Sequence, residues 1–399
     1  MSRQVEDAYI VAAVRTPVGK APRGMFRSTR PDDLLAHALR SALARVPALD
    51  PKAIDDVIVG CAIPEAEQGM NVARVGLLLA GLPQSVAGLT VNRFCSSGLQ
   101  AVAIAADRIR LGEADVMIGA GTESMSLIPM GGHKIAINDA VFARDENIGI
   151  AYGMGITAEK VAQRWQVSRD AQDAFAVESH RKALAAIEAG WFDEEIAPFE
   201  IESRSADLGS RELRIARTLA ARDEGPRPGT TLEVLAKLKP AFSANGSVTA
   251  GNSSQTSDGA GAVVLASGAA LKRFGLMPLA RFVGFAVAGV PPEIMGIGPV
   301  EAIPKVLRQT GLALSSMDCI ELNEAFAAQS LAVIRELDLD PSRINPQGGA
   351  IALGHPLGAT GAIRTATLLH GMRRRGERYG MVTMCVGTGM GAAGIFERL

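Results

Sequence analysis

The sequence predicts an α/β protein made of two copies of one βα-type unit, with a different kind of segment inserted between them. Three observations carry this expectation. Short segments recur at a nearly constant offset: Asp56-Val57-Ile58-Val59-Gly60 resembles Asp318-Cys319-Ile320-Glu321-Leu322, 262 residues later, and Val116-Met117-Ile118-Gly119 resembles Val382-Thr383-Met384-Cys385, 266 residues later. A period that long describes a duplication, not a solenoid. The stretch from about Ser124 to Gly251 differs in character from both copies. Aromatic residues are 4% of the chain while glycines number 43, which favours tightly packed α/β layers over a stacking surface.

The elements follow in order. Ile10 to Val14 is a short apolar run with acidic residues before it and Pro17 after it, so it reads as a first strand and not as a secretory leader. Asp56 to Gly60 is the next strand. From Gly98 to Leu111 the chain is apolar and rich in helix formers, and Gly112 can stop that helix in a left-handed cap. The inserted stretch holds a glycine-rich loop (Met130-Gly131-Gly132-His133) and a long helix that Ser168 can N-cap and Gly190 can end. From Arg204 to Lys239 eight Lys/Arg face five Asp/Glu, a mild positive excess suited to the tail of an anionic ligand. In the second copy the helix runs from Gly361 to Gly376, and strands follow at Val382 to Cys385 and Ala392 to Phe396. The expected domains are residues 1–124 with 252–277, the insertion 125–251, and 278–399.

Composition excludes several functions. With 399 residues and 48% hydrophobic side chains, there is ample chain for a large core. A net charge of −1 provides no general field for nucleic acid or an anionic membrane, and no apolar run approaches the ~18 residues of a membrane span. Cys61, Cys95, Cys319 and Cys385 form neither a zinc pattern nor a disulfide framework, so no metal and a reduced, cytoplasmic protein are expected. The final residues, Phe396-Glu397-Arg398-Leu399, are not a peroxisomal address.

One segment points to covalent chemistry. Asn92-Arg93-Phe94-Cys95-Ser96-Ser97-Gly98 sets Cys95 at the mouth of the first-copy helix, among unpaired N–H groups and the positive end of the dipole. That position is expected to lower its thiol pKa and activate it as a nucleophile. At the corresponding place in the second copy lies His355, ringed by glycines and followed by Pro356. If the copies pack about a pseudo-twofold axis, the two helix starts converge and Cys95 faces His355. Cys385 ends a strand before Val386-Gly387-Thr388-Gly389, a turn whose N–H groups can point at an oxyanion. Cys61 and Cys319 sit in apolar strand contexts and read as core. His37, His180 and His370 read as surface or packing residues, and His133 is uninformative. Asn323, after the strand ending at Leu322, can start a turn or cap the next helix, and can equally hold a water against developing charge. Gly389 to Gly394 fits G-x-G-x-x-G, but a strand follows where a dinucleotide site needs a helix.

These residues resemble the thiolase family. Asn92 to Gly98 resembles its acyl-cysteine signature, and Asn323-Glu324-Ala325-Phe326, Gly348 to Gly361 and Cys385 to Gly389 resemble its other three motifs. The likeness runs from Val14 to the last strand. It implies a thiolase-like fold of two α/β halves in five αβαβα layers, with a loop domain inserted. It implies that Cys95 attacks the 3-keto carbon and carries the acyl group as a thioester. His355 would take the cysteine proton and later activate the coenzyme A thiol, and Cys385 would protonate the acetyl-CoA enolate. One oxyanion site would use His355 with a water on Asn323, the other the N–H groups of Cys95 and Gly387. Ser254, Ala250, Phe242, Phe326 and Arg227 would contact coenzyme A, and Met154 would line the acyl pocket. Coenzyme A or acyl-CoA is then a substrate, with no permanently bound cofactor.

Short-chain biosynthetic thiolases usually carry a histidine where this chain has Gly153, so the resemblance is to degradative 3-ketoacyl-CoA thiolases of β-oxidation. It also implies a homodimer or homotetramer, with a β-oxidation hydratase/dehydrogenase subunit as a candidate partner. Acetoacetyl-CoA condensation is the nearest rival. A ketoacyl synthase fits less well because Cys385 occupies the position of its second histidine or asparagine. A silent lipid carrier would lack one of Cys95, His355 or Cys385.

Overall fold

A computed structural model describes residues 5–207 and 209–399 of the chain. The first copy comprises β1 (Ala8–Arg15), β2 (Gly19–Lys20), α1 (Pro31–Ala44), β3 (Asp56–Gly60), α2 (Val72–Leu79), β4 (Ala87–Val91), α3 (Ser97–Arg110) and β5 (Val116–Ser124). The insertion contributes α4 (Met154–Arg164), α5 (Arg169–Glu188), the hairpin β6 (Phe199–Asp207) and β7 (Glu212–Ala220), and α6 (Leu232–Ala236). The chain then returns through β8 (Ser257–Ser267) and α7 (Gly268–Phe274). The second copy comprises β9 (Ala280–Gly289), α8 (Gly298–Thr310), β10 (Cys319–Leu322), α9 (Ala327–Glu336), α10 (Ala350–Leu353), α11 (Thr360–Arg375), β11 (Tyr379–Val386) and β12 (Met390–Arg398).

Local chemistry sets these boundaries. Ser168 Oγ accepts the Ala171 N–H at 3.3 Å and starts α5. Helices α3 and α11 both stop at left-handed glycines, Gly112 (φ +66°) and Gly376 (φ +70°). Strands β5 and β8 are buried along their whole length, which fits their near-continuous runs of small and apolar residues.

Ten strands form one sheet in the order β10-β11-β12-β9-β1-β8-β5-β3-β4, with β2 paired to β8. The duplication is visible in it. In the first copy β3 runs parallel to β5, which is antiparallel to β8, which is antiparallel to β1. In the second, β10 runs parallel to β11, which is antiparallel to β12, which is antiparallel to β9. The two runs meet where Ile10 pairs with Ala280 and Tyr9 with Arg281.

Helices complete five layers. α1 and α2 cover the outer face of the first half, and α8 covers the outer face of the second. Between the halves lie α3 and α11, packed on each other and on strands from both copies. Glycine permits that contact: a Cβ on Gly98 would come within 2.7 Å of Ala362 N, and one on Gly361 would strike Leu99 N. The close approach brings the N-termini of α3 and α11 together at one end of the molecule.

Candidate active site

Cys95 lies in a single 3₁₀ turn, Phe94–Ser96, that leads into α3. Phe94 holds a positive φ of 43°, a strained geometry for a non-glycine residue that turns the chain sharply into the cysteine. The backbone N–H groups of Gly387 and of Cys95 itself favour a thiolate at this position. Gly387 follows β11, in a turn shaped by positive φ at Thr388 (68°) and Gly389 (91°). A Cβ on Gly387 would lie 3.7 Å from Phe94 Cγ and from Met154 Sδ, so this turn, the cysteine turn and the start of α4 share one wall.

Cys385 is fully buried near the end of β11, in an apolar cluster with Phe326, Ala325, Val248 and Met295, with Met154 packed against it. Burial first, and then the neighbouring Cys95, push its thiol well above the ordinary range. It is therefore a proton donor or a hydrogen-bonding thiol at neutral pH.

His355 follows Gly354, and its N–H is shared by Gln255 O at 3.2 Å and Ser257 Oγ at 3.1 Å. Its Nδ1 is 2.7 Å from Thr360 Oγ1 and its Nε2 is 3.3 Å from Asn323 Nδ2. Burial, then the charge of Arg364, push the imidazole down to about 3. The ring is neutral at physiological pH. With the Nδ1 proton donated to Thr360, Nε2 keeps its lone pair and is the basic nitrogen. The Asn323 amide reaches Nε2 directly, and its Oδ1 is buried without a protein partner among the described residues. Asn323 N in turn donates to Thr383 O at 2.9 Å, two residues before Cys385 on β11. The His355–Asn323 pair is thus tied to the strand that carries Cys385, while the turn Leu357–Ala359 that follows His355 packs against the Cys95 turn.

The expected effect of the helix mouth on Cys95 does not hold. Its thiol is pushed up to about 11, with burial as the largest cause and Glu123 adding to it. The two N–H groups act in the opposite direction and are outweighed, because Cys95 is only 8% exposed and a thiolate there loses most of its water. The resting pair is thiol and neutral imidazole.

The residues expected at coenzyme A divide into two places. Phe326 is buried and Phe242 exposed, with ring centroids 6.1 Å apart and edge to face. Ser254 is half-buried and its N–H donates to Ala325 O at 2.9 Å; Ala250 is exposed. Phe326, with Phe242 against it, and Ser254 through Ala325 adjoin the Cys385 cluster, as does Met154 at the start of α4. Arg227 is exposed on a separate loop, where its N–H donates to His180 Nδ1 at 3.2 Å. A Cβ placed on Gly153 meets nothing within 4 Å, so there is open space beside Met154.

Two side chains at these positions escaped the sequence reading. Thr360 holds His355 through one hydrogen bond, and Glu123 gathers donors from both copies. His180 and His370 turn out to be buried packing residues, and Cys61 and Cys319 are buried as expected.

Residues 8–269 match the family "Thiolase, N-terminal domain" and residues 276–398 match "Thiolase, C-terminal domain". The chain belongs to the thiolase family. It is 52% identical over 394 residues to a 3-ketoacyl-CoA thiolase of Bacillus subtilis, covering 98% of this chain and 100% of that one. Its fold superposes on human mitochondrial 3-ketoacyl-CoA thiolase with a TM-score of 0.88 at 40% identity, and on Bacillus anthracis acetyl-CoA acetyltransferase with 0.89 at 41%, each over the full length of both chains. In this thiolase the five layers meet the expectation for the fold.

Proposed function

We propose that this thiolase cleaves 3-ketoacyl-CoA with coenzyme A, giving acetyl-CoA and an acyl-CoA shortened by two carbons. The observation that carries the proposal is the placing of the Cys95 turn against both the turn after His355 and the strand of Cys385, with Gly387 beside Phe94. The N–H groups of Cys95 and Gly387 are proposed to meet an oxyanion forming beside that sulfur.

In this mechanism His355 Nε2 takes the Cys95 proton as the sulfur attacks the 3-keto carbon, with a water on Asn323 completing the other oxyanion site. The C2–C3 bond then breaks. Cys385 gives its proton to C2 of the departing acetyl-CoA enolate, and the acyl group stays on Cys95 as a thioester. As acetyl-CoA leaves, the proton held by His355 passes to the Cys385 thiolate; coenzyme A then enters, His355 takes its thiol proton as the sulfur attacks the thioester, and the same proton returns to the Cys95 sulfur as acyl-CoA is released. Phe242, Phe326, Ala250 and Ser254 are proposed to flank the pantetheine, Arg227 the nucleotide end, and Met154 the acyl chain. Coenzyme A serves as substrate, with no resident cofactor.

The space beside Gly153, together with the names of the relatives, supports longer acyl chains over acetoacetyl-CoA. The kcat/KM ratio for 3-ketooctanoyl-CoA over acetoacetyl-CoA tests the choice. A ratio above one is expected, and a strong preference for the four-carbon substrate refutes it.

We further assign residues 1–124 with 252–277 to the first half, 125–251 to the insertion and 278–399 to the second half, in a cytoplasmic protein. No helix among the described residues is long and apolar enough to cross a membrane. Strand β4 ends the sheet with Leu89 exposed, near exposed Leu78, Leu79 and Met70, a surface suited to a homodimer or homotetramer.

A further inference from the structure

We propose that Glu123 is a positioning residue for the reaction: its buried carboxylate clamps the turn after His355 to the first copy. This rests on Cys95 acting as the nucleophile with His355 as its base.

Glu123 lies on β5 and is 1% exposed. Four N–H donors converge on its two oxygens. Oε2 accepts from Ala62 N at 2.7 Å and from Gly358 N at 2.8 Å. Oε1 accepts from Ile63 N at 3.3 Å and from Gln68 Nε2, and the Cys61 thiol lies 3.9 Å from it. Ala62, Ile63 and Gln68 belong to the segment after β3, whereas Gly358 belongs to the second copy, three residues past His355. Gln68 is itself fixed, with Nε2 on Ile63 O at 2.8 Å and Oε1 accepting Ser124 N at 3.0 Å. The carboxylate therefore hydrogen-bonds the turn after His355 to the first half while being held by the first half on its other side.

The choice of a carboxylate follows from the donor count. A carboxylate only accepts, so it satisfies all four donors, while an amide would turn an NH₂ toward two of them. The charge has a second effect, since Glu123 raises the Cys95 thiol. A thiolate forming before the base is in place is disfavoured, and proton transfer to His355 accompanies attack. Burial above, and the N–H donors below, pull Glu123 itself in opposite directions, with burial the larger. Among the described residues, the titratable side chain in contact with its carboxylate is the Cys61 thiol, itself pushed up by burial.

The test compares E123Q and E123D with the parent enzyme in three measurements: thermal midpoint, kcat and KM for 3-ketooctanoyl-CoA, and the pH midpoint of Cys95 alkylation by iodoacetamide, followed by mass spectrometry. For E123Q we expect a folded protein, kcat lower by about 10²-fold from a displaced His355 turn, and KM changed by less than about threefold. The alkylation midpoint should fall by roughly half a unit or more, because a negative charge has gone. E123D keeps the charge on a shorter stem, so kcat should fall while the midpoint holds. An E123Q enzyme with parental kcat, or one whose midpoint is unmoved or raised, overturns the proposal. If E123Q does not fold, E123D decides alone, and full kcat in E123D overturns it. Acetylation of Cys95 by acetyl-CoA in the parent, read as a mass adduct, separates failure here from failure of the nucleophile assignment.

Discussion

At the scale of single residues, two cysteines of similar burial are assigned different work by what surrounds them. Cys95 has backbone N–H groups that favour its thiolate, while Cys385 sits among Phe326, Ala325 and Met295 with Cys95 as a neighbour. Cys95→Ala should therefore lose the acetyl adduct formed with acetyl-CoA. Cys385→Ala should keep that adduct but lose about 10²–10⁴-fold in carbon–carbon cleavage, the usual worth of a positioned acid or base. A Cys385 variant that no longer acylates would contradict this division. The imidazole makes a pH prediction. A His355 value near 3 leaves the base unprotonated down to strongly acid pH, so the acid limb of kcat/KM should lie well below the ordinary histidine value of about 6.5. The rate falls only when Nε2 gains a proton; an acid limb centred near 6.5 would show that the ring is solvated and that its burial here is wrong.

At the scale of elements, the site depends on how closely α3 and α11 approach. Gly361 has the Leu99 backbone where its Cβ would be, so Gly361→Ala has to push apart two helices that each lead from the site. Overpacking of this kind typically costs about 1–3 kcal/mol, occasionally more. Denaturant unfolding should register that loss, whereas Gly153→Ala, facing open space, should stay within about 0.5 kcal/mol. Equal stability of the two variants would argue against the packing described. Much at this scale was legible in the sequence. Ser168, Gly112, Gly190 and Gly376 mark real helix ends, and the repeated strand segments are β3 with β10 and β5 with β11. Such signals are local, carried by caps and by alternation along a few residues. Glu123 has no such signal, because its donors come from segments 55 to 235 residues away in the chain. The state of Cys95 was misread for a related reason: a helix start is visible in sequence, but the desolvation that outweighs it is produced by the whole fold.

At the scale of the molecule, the insertion is pinned to the duplicated core by buried charge. Arg15 at the end of β1 binds Glu195 at 2.6 Å and Asp223 at 2.7 Å, and Thr367 of α11 donates to the same Glu195 at 2.7 Å. Asp223 lies four residues before Arg227, so the loop proposed to meet the nucleotide end starts from a fixed point. The same arrangement links three things along the described chain: the proposed nucleophile of the first copy, the proposed base of the second and a lobe laid beside them. The most direct test is a crystal structure of the enzyme acetylated by acetyl-CoA, with coenzyme A bound. The account predicts the acetyl group on Cys95 Sγ, its oxygen on the N–H groups of Cys95 and Gly387, and His355 Nε2 and Cys385 Sγ both within about 3–4 Å of the reacting atoms. An acetyl group on any other residue, or either of those two side chains turned away into a different cavity, would contradict it.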